Sequence, residues 1–429
     1  MPLSSTPHYP VIVIGGGQAG LSISYYLNRS HIDHVVLEKS SIAHSWKTQR
    51  WDAFCLVTPN WQCQLPGYAY AGNDPKGFML RDEIVSYVES YARRIDAPVK
   101  EGVAVTRLKQ RLDDRFVLET TSGEMTADNV VLAVSGYHIP NVPRVAERID
   151  SSIIQIHSSA YRNPAQLPDG EILVVGSGQS GCQIAEDLHL AGRKVHLAVG
   201  SAPRCPRVYR GRDAVEWLDD LGQYDLPVEQ HPLREKVRKN ANHYLTGRDG
   251  GRDIDLRKFA LEGMSLYGRL KNVEKGVLTF GDDLAASLDN ADRVYNGICS
   301  LIDDHIAKQE IAAPAGQRYT PVWQPSNAPS EIDLAQSNIT SVIWTTGFRS
   351  DWSWVELPMF DGENYPTHTC GVTTVDGAYV LGLPWLRTWG SGRFVGVGKD
   401  AEFIAKRIEE QRKRSLVPLD SYTETRARA

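Results

Sequence analysis

Two stretches of this 429-residue chain share one pattern. Val11-Ile12-Val13-Ile14 runs into Gly15-Gly16-Gly17-Gln18-Ala19-Gly20, and Ile172-Leu173-Val174-Val175 runs into Gly176-Ser177-Gly178-Gln179-Ser180-Gly181. Each is an apolar β run, a GxGxxG turn and then a helical apolar pattern: Leu21, Ile23, Tyr26 and Leu27 after the first, Ile184, Ala185 and Leu188 after the second. The first Gly of such a turn permits a sharp reversal and the second lets the backbone approach a pyrophosphate. The third seats the helix on the strand, whose N-terminus then stabilises phosphate charge. A lone GxGxxG is weak evidence, but two copies in strand–turn–helix context specify an α/β chain with two Rossmann-like dinucleotide-binding domains.

The end of the next β run separates the two ligands. After the first motif His34-Val35-Val36-Leu37 ends in Glu38-Lys39, and an acidic residue there accepts hydrogen bonds from a ribose diol. After the second, the matching place is Val199, followed by Gly200, Ser201 and Arg204, with Arg207 and Arg210 nearby, which suits a 2′-phosphate. The first site therefore reads as FAD, through Gly15, Gly17, Gln18, Ala19, Gly20, Glu38 and Lys39. The second reads as NADPH, through Gly176, Gly178, Gln179, Ser180, Gly181, Ser201 and Arg204; the alternative for the arginines is a solvated loop.

Between the motifs, residues 78–97 have the apolar stripe of a helix and residues 99–134 alternate as strands. Residues 135–143, flanked by prolines, read as a linker whose Gly136 is counted among the cofactor-binding positions. Leu256 through Leu270 is expected to be one helix, and the last helix to run from about Asp400 to Arg412. The expected division is into two domains of three-layer ββα type, the FAD domain being discontinuous over 1–168 and 335–429. An NADPH domain over 169–334 would carry an insertion at about 205–329 that shapes the pocket or a dimer contact.

Composition removes other classes. Lys plus Arg total 47 against 52 Asp plus Glu, so no basic surplus suggests nucleic acid. The six Cys form no CxxC pair and no HExxH or GxSxG is present, leaving metal and serine hydrolysis without support. No apolar run approaches the ~20 residues of a membrane span. The short polar lead before Val11 leaves no room for a signal peptide, so a cytoplasmic protein is expected.

The order of these motifs resembles the two-dinucleotide-domain flavoproteins, and within them the flavin-containing monooxygenases. WKTQRWDAFCLVTPNWQCQLP at 46–66 is similar to the family's segment beside the flavin ring. His157-Ser158-Ser159-Ala160-Tyr161 resembles the HxxxY half of its signature, Gly178-Gln179-Ser180-Gly181 its NADPH loop, and Thr345-Thr346-Gly347-Phe348 its ATGY element. The chain departs where the signature has Phe and Gly, here Ser151 and Ile153, and where relatives carry Gly-Gly before Trp46, here His44-Ser45. Asn242-His243-Tyr244 and the stretches 248–260 and 383–401 resemble a narrower bacterial flavin-dependent oxidoreductase subgroup from biosynthetic clusters that carry a nitrilase.

The resemblance implies that NADPH reduces the flavin, that O₂ adds to give a C4a-hydroperoxyflavin, and that oxygen passes to a small substrate, amine N-hydroxylation being favoured. It implies Asn60 beside the flavin C4a or the NADP amide, the alternative being a turn cap after Pro59. Trp46 and Trp61 would lie against the flavin or else in the core. Thr346 and Gly347 would lie where the chain returns to the FAD domain, and the helix N-terminus at Gly396-Val397 would face the flavin pyrimidine. Trp389 and Arg393 would border the substrate or flavin edge, with a surface position as the alternative for Arg393. An FAD oxidase or dehydrogenase and a non-catalytic flavin redox sensor are the competing readings. Many two-dinucleotide flavoproteins are disulfide reductases, but Cys55 and Cys63 are too far apart in sequence for their close redox pair.

Overall fold

The computed structural model describes residues 6–113, 115–326 and 329–416, so the termini of the expected FAD domain, 1–5 and 417–429, lie outside the described residues. Uninterrupted apolar β runs suit parallel strands covered on both faces, and both motifs open on such strands. In the first unit β1 (His8–Ile14) leads through α1 (Gln18–Arg29) to β2 (His34–Glu38), then α2 (Arg81–Arg94) and β3 (Val99–Glu101). An antiparallel meander follows, β4 (Val105–Gln110), β5 (Phe116–Thr120) and β6 (Gly123–Leu132). The far half of β6 turns parallel to β1, with Ile14 opposite Leu132, while β2 and β3 extend the sheet on the other side.

The second unit repeats the plan. Its strands and helices are β7 (Ile154–His157), β8 (Glu171–Val175), α3 (Gln179–Leu190), β9 (Val195–Ala198), α4 (Ala214–Asp220), α5 (Leu256–Leu261) and β10 (Ser265–Tyr267). There follow β11 (Leu270–Glu274), β12 (Val277–Phe280), α6 (Leu284–Lys308), β13 (Glu331–Asp333) and β14 (Ile339–Trp344). Five strands form a parallel sheet in the order β7-β14-β8-β9-β10. The β11–β13 meander packs Val273, Leu278 and Phe280 on one face, against Leu173, Val175 and Trp344. On the other face Leu188, Phe259 and Leu288 of the helices meet Ile172, Val174, Leu197 and Ile343. This is the expected three-layer ββα arrangement. The chain then returns to the first unit, where β15 (Ala378–Val380) joins β6 in parallel and α7 (Val397–Leu416) packs on α1.

Three expectations are corrected. The boundaries at 168/169 and 334/335 cut β7 and β14 out of the second sheet, yet both pair there, so the crossings between units fall before β7 and after β14. They run side by side, Ile139–Pro140 pairing antiparallel with Phe348–Arg349. The region 205–329 is not one insertion, because α5 and β10 to β12 are regular parts of the second unit; the excursions proper are 202–253 and 281–330. The expected helix Leu256–Leu270 ends at Leu261, where Gly263 at φ +104° and the Met264 N–H to Phe259 carbonyl bond (2.9 Å) stop it, and the apolar run goes on as β10.

Candidate functional site

In each GxGxxG turn the first and third motif glycines are required by the fold and the second faces outward. A Cβ on Gly20 would stand 1.9 Å from the Gly15 carbonyl oxygen, and one on Gly181 would stand 2.0 Å from that of Gly176. Gly15 and Gly176 lie at φ +109° and +107°, where a side chain is strained. A Cβ on Gly17 or Gly178 would meet nothing within 4 Å. These two middle glycines are the N-caps of α1 and α3, neither helix has a side-chain cap, and neither has an acidic residue in its first turn. Uncapped helix amides beside an open glycine are an anion cradle, so both turns fit a dinucleotide pyrophosphate.

At the end of β2 the Glu38 carboxylate lies beside the first cradle. It accepts from the Gly16 N–H at 2.8 Å and the Ser40 N–H at 2.9 Å, which fixes it where a ribose would pass, with Lys39 exposed next to it. Gly136 follows Ser135, itself at φ +61°, on the irregular stretch that leaves β6 past Gly15. The chemistry of this donor set fits FAD.

The cation set expected at the second site is corrected. Arg204 is buried, its guanidinium 2.8 Å from Asp292 and 3.8 Å from Asp255 and flanked by the rings of Tyr295 and Tyr319. Arg207 is buried and paired with Asp213, and Arg210 is paired with Asp303 at 3.3 Å. All three charges are spent inside the excursions, so none is offered to a 2′-phosphate. Ser201 remains exposed at the end of β9, and the Gly200 N–H donates to Ser177 Oγ (2.9 Å), bracing that loop against the second cradle.

Gln18 and Gln179 occupy the same place in the two motifs and do the same work. The Gln18 amide donates to the Gly392 carbonyl (2.9 Å), and the Gln179 amide donates to the Leu245 carbonyl (2.6 Å) and accepts from the Leu245 N–H (3.3 Å). Each ties its cradle to the segment folded over it, the C-terminal tail on the first and the 202–253 excursion on the second. Thr345 Oγ1 donates to the Val175 and Gly176 carbonyls at 2.8 Å, while Thr346 Oγ1 donates to the Asn141 carbonyl. Gly347, at φ +78°, takes a hydrogen bond from His157 Nε2 (2.9 Å). Thr346 and Gly347 therefore sit at the crossing beside the second cradle.

The tail and the excursion meet over the junction of the units. Trp389 stacks on Tyr224 with centroids 4.8 Å apart and planes 2° from parallel, and the Arg393 guanidinium lies 4.6 Å from the Trp389 ring centre. Trp389 Nε1 and Arg393 Nη2 both donate to Asn242 Oδ1 at 3.3 Å, and the Gly390 N–H donates to the Tyr224 carbonyl at 2.9 Å. A Cβ on Gly396 would stand 2.4 Å from Gly390, so the turn into α7 closes only with glycine there, and Val397 begins the helix fully buried. Trp46 stacks on Phe394 (6.2 Å, 18°) with the Arg50 guanidinium 5.1 Å above it.

Of the expected catalytic trio, the structure brings together Trp389 and Arg393 but not Asn60. The buried Asn60 side chain donates to the Asp74 carbonyl (3.0 Å) and accepts from the Met79 N–H (2.7 Å), stapling the 74–79 loop. Trp61 packs in the cluster built around Trp217 and Leu218 of α4. Sequence reasoning missed Arg50, Tyr137, Tyr224, Asn242 and His243 as site neighbours. Arg50 lies in the 46–66 stretch and Asn242-His243 in the Asn242-His243-Tyr244 motif, but their convergence depends on the excursion's path.

Burial pushes the Arg50 and Arg393 pKa values down, opposed at Arg50 by the Tyr137 phenol and at Arg393 by Tyr224 and then Tyr137. Burial, with the Arg393 charge second, pushes the His243 imidazole down to about 4. Burial likewise pushes the Asp400 carboxyl up to about 6, against Ser391 and Arg387. All six cysteines are free, and burial pushes Cys55 and Cys63 up to about 11 and about 12, so a redox dithiol finds no thiolate there.

A family model described as pyridine nucleotide-disulphide oxidoreductase matches residues 12–219. An uncharacterised CzcO-like oxidoreductase of Geobacillus kaustophilus is 32% identical over 402 residues, covering 93% of this chain and 97% of that protein. Rice indole-3-pyruvate monooxygenase YUCCA1 is 29% identical over 358 residues, 80% of this chain and 78% of its own. The solved flavin-containing monooxygenase from Stenotrophomonas maltophilia shares the fold, with TM-score 0.65 and 19% identity over 95% of this chain and 99% of that one.

Proposed function

Because the chain belongs to the flavin-containing-monooxygenase-like flavoproteins that include the CzcO-like oxidoreductases, we propose that it is an FAD-dependent monooxygenase. On this reading it uses NADPH and O₂ to oxygenate a small metabolite, with N-hydroxylation of an amine as the reaction. The observation that carries the reading is the pair of uncapped glycine cradles, each tied by an equivalent glutamine to a segment that folds over it. FAD reduced by NADPH supplies the oxygen-activating chemistry. The residues of the chain bind, orient and keep water away. Gly17 and the α1 amides would hold the FAD pyrophosphate, Glu38 its ribose, and Gly178 with the α3 amides the nicotinamide dinucleotide. The Trp389–Tyr224 stack and the Trp46–Phe394 stack wall the junction with apolar surface, as reactive oxygen chemistry requires. Arg50 and Arg393 there oppose a second positive charge, so an amine would enter as the free base, with the lone pair that N-oxygenation needs.

The test is anaerobic mixing of FAD-loaded protein with NADPH, followed by isotope-labelled O₂ and a panel of amines. Flavin bleaching by NADPH and label in an N-hydroxylated product are expected. Bleaching by substrate but not by NADPH would make the protein an oxidase or dehydrogenase, and bleaching by neither would leave a redox sensor.

A further inference from the structure

We propose that the groove between the 61–76 segment and α4 is a second binding site, one that takes a small organic ammonium ion. The charge of the ligand lies on Asp219 and its carbon skeleton against Trp61. The site needs neither flavin nor NADPH, so it goes beyond the monooxygenase reading and does not rest on it.

The groove encloses about 350 Å³, room for an arylalkylamine, between Trp61 and Pro75 on one side and Glu216, Asp219 and Asp220 on the other. Two cations also border it, and both are paired. Lys76 lies 3.1 Å from Glu216, and Arg212 lies 3.2 Å from Glu216 and 2.7 Å from Asp220. Lys399, the remaining cation that acts on Asp219, is held by Asp225 at 2.6 Å. Asp219 itself forms no ion pair among the described residues, so it is the carboxylate of this groove that lacks a cation. Burial, and then the like charges of Asp220 and Asp225, push its carboxyl up, and an arriving cation would relieve that field.

A second observation lies beneath Asp219. Gln62 is 2% exposed, and neither its amide nitrogen nor its amide oxygen has a hydrogen-bond partner among the described residues. The amide lies beside the Asp219 carboxyl and the Tyr224 hydroxyl; at both, burial raises the pKa and Gln62 pulls against it. Trp61 Nε1, in the groove wall, is buried and unpartnered as well. Buried polar atoms are normally satisfied, so orphans gathered at one groove mark a place that the chain alone does not complete.

The wall decides the kind of cation. Among the described residues no group of three His, Cys, Asp or Glu is placed to hold a metal ion. An indole face beside a single free carboxylate suits an ammonium carried on an apolar skeleton, which gains from the ring and from the charge together.

The experiment is calorimetric titration of FAD-loaded protein with 2-phenylethylammonium chloride and with 2-phenylethanol, which keeps the ring and lacks the charge. Wild type should bind the ammonium about tenfold more tightly than the alcohol. Asp219→Asn should abolish that preference while leaving the alcohol affinity, the flavin content and the urea midpoint unchanged, and Asp219→Glu should keep part of it. Equal binding of the two probes by wild type, or a preference that survives in Asp219→Asn, would overturn the site. Flavin that NADPH fails to bleach would sink the monooxygenase reading and leave the groove untouched.

Discussion

Arg204 shows how a residue can be correctly identified as a cation and still be misplaced. Read along the chain, it follows the second Rossmann strand and points to a 2′-phosphate; in three dimensions Asp292 and Asp255, far along the sequence, have claimed it. Removing one member of a buried ion pair leaves the other charge unpaired, so Arg204→Leu is expected to cost about 3 kcal/mol or more of stability. Urea denaturation measures this, and in protein that remains folded the preference for NADPH over NADH should be unchanged. The junction gives a second expectation, in pH. His243 has a folded pKa of about 4 against 6.5, so below 6.5 the unfolded chain takes up a proton that the folded chain refuses; this stability is complete above 6.5 and is lost as pH falls toward 4. Asp400, raised to about 6 from 3.8, acts in the opposite sense, its contribution complete below 3.8 and lost as pH rises through 6. The two slopes oppose each other between about pH 4 and 6. His243→Gln should therefore make stability fall with rising pH there relative to wild type, and Asp400→Asn should make it rise more steeply, as read from urea midpoints along a pH series.

At the scale of elements, the glycine turns were legible because their constraint is local. Gly20 meets Gly15 within a few residues, and no distant partner changes that geometry. The contrast within one turn is testable. Gly20→Ala puts a methyl against the Gly15 carbonyl and should prevent the first unit from folding. Gly17→Ala adds a methyl that touches no protein atom, so the apoprotein should melt as wild type does while FAD affinity drops by about tenfold or more, on the order of 1–3 kcal/mol of overpacking at the ligand. Differential scanning fluorimetry and flavin retention on gel filtration separate the two effects, and equal loss of fold in both variants would show that the middle glycine is structural. Less local features were harder to read. The 256–270 stretch keeps its apolar content through Gly263, so composition hides the change from helix to strand. The place of β7 and β14 in the second unit is not legible along the chain, because β14 joins β7 to β8 from far away in sequence. Asn60 was assigned by its motif, whereas its amide is spent on a loop that only the folded chain brings near.

In the whole molecule, the proposed function depends on two segments that reach over the junction from the two Rossmann units. The tail starts in the second unit's last strand and ends on α1 of the first, while the 202–253 excursion leaves the second unit and reaches the tail at Tyr224, Asn242 and His243. Each segment alone would expose aromatic surface, and together they form a wall over the junction. The Tyr224–Trp389 stack is the closest aromatic contact across that wall, and the Gly390 N–H to Tyr224 carbonyl bond fixes its backbone. Tyr224→Ala keeps the backbone bond and deletes the ring, so both Rossmann units should stay folded and bind their nucleotides. On the proposed reading what changes is water access beside the flavin, because Trp389 loses the ring it stacks on and Arg393 loses an aromatic neighbour. A monooxygenase whose site admits water releases reduced oxygen as peroxide instead of transferring it. The expected result is near-normal NADPH oxidation with a severalfold larger share appearing as hydrogen peroxide, measured by peroxide yield per NADPH consumed. Tyr224→Phe, which keeps the ring and removes only the hydroxyl, should couple as wild type does. If alanine and phenylalanine uncouple equally, the hydroxyl and not the stacked wall protects the site.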